Sequence, residues 1–80
     1  MAAAPVKLTH RMLSQSRVIA KGNRIREVKR LVAEYGGRAA QWVKKSSPEI
    51  DLAGKKMEYH WYEHPGIGRF EIREVEINQP

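Results

Sequence analysis

Glu58, His60 and Tyr62 stand at alternate positions of the run 56–63 (KMEYHWYE). Successive side chains of an extended strand leave by opposite faces, so these three share one face. An imidazole, a carboxylate and a phenol together can move protons. Metal-independent cleavage of RNA needs a base for the 2'-hydroxyl proton, an acid for the departing 5'-oxygen, and cations or strong donors for the charge developing on the phosphorane. His60 can serve as base or acid, Glu58 or Tyr62 can complete the pair, and Lys45, Arg69 or Arg73 can hold the phosphate. Lys44-Lys45-Ser46-Ser47 adds two cations and two hydroxyls where a strand enters a loop, the makings of a phosphate cradle. The solvent side of an ordinary sheet shows the same alternation, so these residues define a candidate only.

Other constellations are weaker. His60 and His64 are four apart, which on a strand separates them by about 13 Å, too far to share a metal ion. No metal or cofactor is therefore expected. Gly66-Ile67-Gly68 is too short for a nucleotide-binding glycine loop. Trp42 and Trp61 could each stack on an unpaired base, but in so small a chain one must be core, and Trp61 is assigned there. Arg26, Lys29 and Arg30 form a band on one side of a helical segment that could meet RNA or simply face solvent. His10 is a surface or capping-turn residue unless its helix folds over the sheet.

The elements that must position these groups can be read from periodicity. Residues 1–8 read as a flexible lead and 9–80 as one domain. Thr9 is placed to cap a helix running to about Ile19. After Lys21-Gly22-Asn23, a second helix is predicted from Ile25, Val28, Leu31, Val32 and Tyr35, ending at Gly36-Gly37. The period then changes to two. Strands are predicted over 38–45, 56–63 and 69–77, with a loop over 46–54 and a type II turn at Pro65-Gly66. Parity puts Met57, Tyr59 and Trp61 on the core face under the second helix, and a bulge is expected near Arg73 and Glu74. The expected fold is α+β: two N-terminal helices packed on a three-stranded, or four-stranded, antiparallel sheet.

Composition narrows the class of partner. The 80 residues carry 15 basic and 9 acidic side chains, a net +6, and no cysteine. The sequence pI is near 10.0. Residues 1–45 hold eleven Lys/Arg against Glu27 and Glu34, whereas 46–80 are net acidic. A two-signed chain of this kind presents a phosphate-attracting field on one side, although excess charge also serves solubility. Without cysteines no disulfide or thiolate metal site can supplement a small core. The opening MAAAP is too short and weakly apolar for a signal peptide, and no run is long enough to span a membrane.

The run 22–77 contains Asn23-Arg24-Ile25, Leu31-Val32, Tyr35-Gly36-Gly37, Trp42-Val43-Lys44-Lys45-Ser46-Ser47, and His60-Trp61-Tyr62-Glu63 followed by Gly66 and Gly68. It resembles the C-terminal toxin domains of bacterial polymorphic and contact-dependent systems, and is more broadly similar to the barnase, EndoU, colicin and RelE group of ribonucleases. The resemblance implies a secreted effector that acts in the cytoplasm of a target bacterium, cutting tRNA or another RNA to a 2',3'-cyclic phosphate. It also implies a cognate immunity or antitoxin protein. Carried over by position, His60 is the central acid or base, and Lys44 or Lys45 with Ser46 or Ser47 orients the phosphate. Tyr62, Glu63 or His64 is then an accessory. Trp42, Arg26, Arg30 and Arg73 complete the expected substrate contacts. The alternative is a module that binds RNA or DNA through the same basic surface without cutting it.

Overall fold

Val18, Ile19 and Ala20 are an apolar, largely β-branched run between Arg17 and Lys21, and they form a strand where a helix end was expected. In the computed structural model, which describes residues 7–77, the first helix α1 spans only His10–Ser14. Thr9 caps it, its hydroxyl accepting from the Met12 N–H at 3.1 Å. The hydroxyls of Ser14 and Ser16 donate to the carbonyls of Arg11 and Leu13, a local pattern that competes with further helix. The chain then extends into β1 (Arg17–Lys21), where β-branched side chains are at home. Of the expected lead, Lys7 and Leu8 have no regular structure; residues 1–6 lie outside the described residues.

The other elements follow from turn chemistry and periodicity. A 3-10 turn over Gly22–Arg24 leads to α2 (Val28–Tyr35), and a second over Ala39–Gln41 precedes β2 (Val43–Ser46). Two residues of what was expected to be loop, Ala53 and Gly54, both have positive φ (51° and 81°). They close a tight hairpin between β3 (Ile50–Leu52) and β4 (Lys55–His64), the backbone signature of a two-residue primed turn. The last strand, β5 (Gly68–Glu76), pairs along one whole edge of β4. β2 and then β3 share the other edge, and β1 lies outside β2.

The architecture expected from sequence is therefore overturned. Among the described residues the chain is an α+β domain with five strands, all paired antiparallel, and α2 is the only helix longer than two turns. The helices do not form an N-terminal layer, because 17–21 pairs with β2, in a ladder interrupted only by a bulge at Ile19. The core face of β4 is also the reverse of that expected. Ile25, Val28, Leu31, Trp42 and Tyr62 form the buried cluster, with Val32, Tyr35 and Phe70 against it, so the Glu58-His60-Tyr62-His64 face lies toward α2. Trp61 is buried on the opposite face, its indole N–H donating to Glu63 at 3.0 Å. Aromatic side chains stand on both parities of β4, so alternation alone does not choose between them. Among the described residues no helix is long and apolar enough to cross a membrane.

The β4–β5 hairpin also departs from expectation. Ile67 N–H bonds to the His64 carbonyl at 3.1 Å, and positive φ falls on Gly68 (136°) and not on Gly66. The Pro65-Gly66 pair therefore does not form a type II turn, which needs positive φ at its third residue. The bulge in this pair lies two residues earlier than expected. His60 faces Arg73 and Tyr62 faces Phe70, so Glu71 and Ile72 together oppose Trp61, and Glu71 adopts φ 58°. This extra residue puts Phe70 and Arg73 on the same face.

Gly37 closes the core beside this hairpin. Its φ is +78°, and a Cβ there would sit 2.5 Å from His64 Nε2 and 2.7 Å from His64 Cδ2. Gly36 also has positive φ, at +93°, but a Cβ on it would meet nothing within 4 Å. Gly37→Ala should therefore destabilise the fold by about 1–3 kcal/mol from overpacking plus strain, and Gly36→Ala by clearly less. Thermal melts of the two variants side by side check this; equal losses would mean that the His64 contact has no energetic weight.

Candidate active site

Cross-strand pairing assembles the α2 face of the sheet. Ser46 lies opposite His60 and Lys44 opposite Tyr62 on β2; Arg73 and Phe70 take the corresponding places on β5. Ala20 lies opposite Lys44 on β1. The half of this face that α2 leaves open carries two adjoining features.

The first is a charge-coupled pair. His60 Nε2 and Glu58 Oε1 are 2.9 Å apart, and the Arg17 guanidinium meets Glu58 Oε2 at 2.9 Å. Ser46 Oγ lies 3.1 Å from Glu58 Oε1 and 2.9 Å from the Ser47 carbonyl, so its single proton serves one acceptor at a time. Burial alone would raise the Glu58 carboxyl. Hydrogen bonds from His60, Arg17 and Ser46 outweigh it and hold the group at about 2. Glu58 is thus an anion at neutral pH and accepts from His60, which places the imidazole proton on Nε2 and leaves Nδ1 as the basic nitrogen. A carboxylate this weakly basic orients an imidazole and does not itself take a substrate proton.

The sign of that shift gives a stability test. A carboxyl ordinarily near 4.5 and held at about 2 in the fold contributes on the order of 3 kcal/mol above pH 4.5, lost as pH falls toward 2. Glu58→Gln should therefore lie furthest below the parent in stability above pH 4.5, with the gap narrowing toward pH 2. Urea unfolding across that range reads the difference; a gap independent of pH would remove the coupled pair from the account.

The second feature is a cleft of about 400 Å³ lined by Ala20, Ile25, Tyr62, Glu27 and four cations, Arg24, Arg26, Lys44 and Arg73. None of the four cations forms an ion pair among the described residues. Lys44 Nζ stands 5.8 Å from the Tyr62 ring centroid, within cation–π range. The Tyr62 hydroxyl donates to Glu27 at 2.8 Å, and Arg30 donates to the same oxygen at 2.8 Å. Burial first, and then the Glu27 carboxylate, push the Tyr62 phenol up, so it keeps its proton. Hydrogen bonds from Arg30 and Tyr62 hold Glu27 below the usual carboxylate range. Arg73 belongs to both features, opposite His60 and in the wall of the cleft.

The structure thus brings His60, Glu58, Ser46, Tyr62, Lys44, Arg73 and Arg26 to one region and places the remaining candidates elsewhere. Lys45 and Arg69 lie with Glu63 at 3.7 and 3.1 Å, on the face opposite His60. Arg30 is committed to Glu27, Glu34 and Glu71. Ser47 is buried, its hydroxyl donating to the Pro48 carbonyl and accepting from the Tyr59 N–H. Trp42 is fully buried and its indole N–H donates to the Gly36 carbonyl at 3.0 Å. His64 is 6% exposed, edge-on to Trp42; its Nδ1 accepts from the Gly66 N–H at 3.0 Å while Nε2 has no partner. His10 is exposed. Reading the sequence missed Arg17, Arg24 and Glu27. Arg17 opens the apolar run 18–20, and that run is the signal for a strand that would aim it at the sheet.

Among the described residues no three His, Asp or Glu side chains gather as metal ligands. The fold and site define a small α+β domain with an antiparallel five-stranded sheet, carrying a carboxylate-oriented histidine beside a basic cleft. No family model, curated protein or solved structure matches the chain.

Proposed function

We propose that the chain is a metal-independent endoribonuclease of the bacterial toxin kind, with His60 as its proton-transfer residue. The observation that carries this reading is His60 held by an ionised Glu58 at 2.9 Å, next to a cleft walled by four cations. His60 Nδ1 takes the 2'-hydroxyl proton and the freed O2' attacks phosphorus. The P–O5' bond breaks and the 5'-oxygen takes a proton from water, leaving a 2',3'-cyclic phosphate. Arg73, opposite His60, carries the charge that accumulates on the non-bridging oxygens. Ser46 steadies Glu58, and Tyr62, its hydroxyl proton held by Glu27, offers its ring as part of the cleft floor. The net charge of +6 favours encounter with RNA, tRNA included, and a neutralising partner of the immunity or antitoxin kind would need to cover this basic cleft. Action inside a target bacterium belongs to the same reading.

Incubation with total bacterial RNA in EDTA tests the proposal. Discrete fragments ending in 2',3'-cyclic phosphate are the expected products. Intact RNA from folded protein that still shifts RNA on a gel would transfer the site to the binding-module reading, which the same cleft also favours.

A further inference from the structure

We infer that the basic cleft is a nucleotide subsite for the phosphate next to the scissile one, so that efficient cutting requires an internal phosphodiester. This rests on the ribonuclease reading of His60. Tyr62 follows His60 by two residues on the same face, about 7 Å along the strand. Arg73 and Lys44, opposite His60 and Tyr62, run from one position to the other. A strand whose reacting phosphate lies at His60 and Arg73 therefore carries its next phosphate toward Lys44, Arg24 and Arg26.

The lining suits a nucleotide better than a bare anion. Arg24, Arg26 and Lys44 supply charge-assisted donors, while Ala20, Ile25 and the Tyr62 ring supply an apolar floor for a ribose or base. Phosphate held by several cations together with a ring on an aromatic or apolar floor is the usual chemistry of single-strand binding. The one carboxylate in the wall, Glu27, already accepts from Arg30 and Tyr62, which reduces its repulsion of an incoming anion.

Two measurements separate this inference from the reading beneath it. In calorimetry with the 80-residue His60→Ala chain, adenosine 3'-monophosphate should bind at least about tenfold more tightly than adenosine or inorganic phosphate. Arg24→Ala and Lys44→Ala should each remove about tenfold of that affinity without shifting the melting temperature. In cleavage by the parent, a dinucleoside monophosphate should have a kcat/KM at least about tenfold below that of a trinucleotide carrying one further phosphate. In Arg24→Ala that ratio should approach one. Equal kcat/KM for the two substrates, or mononucleotide affinity indifferent to Arg24 and Lys44, overturns the subsite and leaves the ribonuclease standing. Arg24-dependent mononucleotide binding without cleavage of any RNA leaves a nucleotide site and overturns the ribonuclease with its neighbouring-phosphate requirement.

Discussion

His60→Ala is expected to slow RNA cleavage by about 10²–10⁴-fold, the range supplied by one positioned acid or base, while RNA affinity changes by less than a few-fold. The separation follows from the layout of the site. Under the proposed function, affinity is assigned to Arg24, Arg26, Lys44 and Arg73 of the cleft wall, none of which depends on the imidazole for a hydrogen bond, and its salt dependence should be unaltered. Glu58→Gln should also lose most of the activity. Its amide can present N–H to Nε2, and that pairing demands the tautomer with the proton on Nδ1, the nitrogen that must be free to accept. Initial rates on an RNA oligonucleotide, with anisotropy titrations at several salt concentrations, read both quantities. Undiminished cleavage by a well-folded His60→Ala chain would end the mechanism, whatever the affinity.

Trp42→Ala should act on the fold. The side chain is 0% exposed, packs near Tyr35, Phe70 and His64 and donates to the Gly36 carbonyl. Truncating such a residue costs about 3–5 kcal/mol. For a domain this small, whose total stability is on the order of 5–15 kcal/mol, that is enough to leave a large unfolded fraction at 37 °C. Trp42→Phe keeps much of the packing and loses the N–H, so it should fall between the two. Denaturant titration followed by circular dichroism measures the loss. An unshifted midpoint together with weakened RNA binding would instead make the indole a base-stacking group.

Sequence periodicity worked where the physical signal was long and undivided. Leu31, Val32 and Tyr35 ending in Gly36-Gly37 mark α2, and the run 56–63 marks the body of β4. The first helix was overextended because Val18 and Ile19 fit a helical face as readily as a strand, and their choice depends on a distant partner, β2, in which Val18 meets Lys45. The three residues of β3 are too few to alternate visibly. For the site, the set of groups at Glu58, His60 and Tyr62 was legible together with the neighbouring Lys44, Ser46 and Arg73. Their division of labour was not: Arg17 and Arg24 reach the site only once β1 folds back beside β2. Trp42 and His64, chemically apt for RNA, are buried: the short loop after α2 turns Trp42 inward onto the Gly36 carbonyl, and His64 shares the core-facing parity of Tyr62 on β4, edge-on to Trp42.

Glu71 has one further consequence. It clamps α2 through Arg30 at 2.7 Å and Tyr35 at 2.8 Å from a left-handed backbone that few side chains adopt readily. Yet it occupies no rung of its own, since Trp61 is answered by two residues. The final strand is consequently written in two reading frames, one that builds the core through Phe70 and one that serves His60 through Arg73. A chain lacking residue 71 could keep both sets of partners and lose only the tether to the helix. A homologous sequence that lacks this residue must be aligned with a gap here, or its arginine will be matched to Ile72 and the candidate site misread.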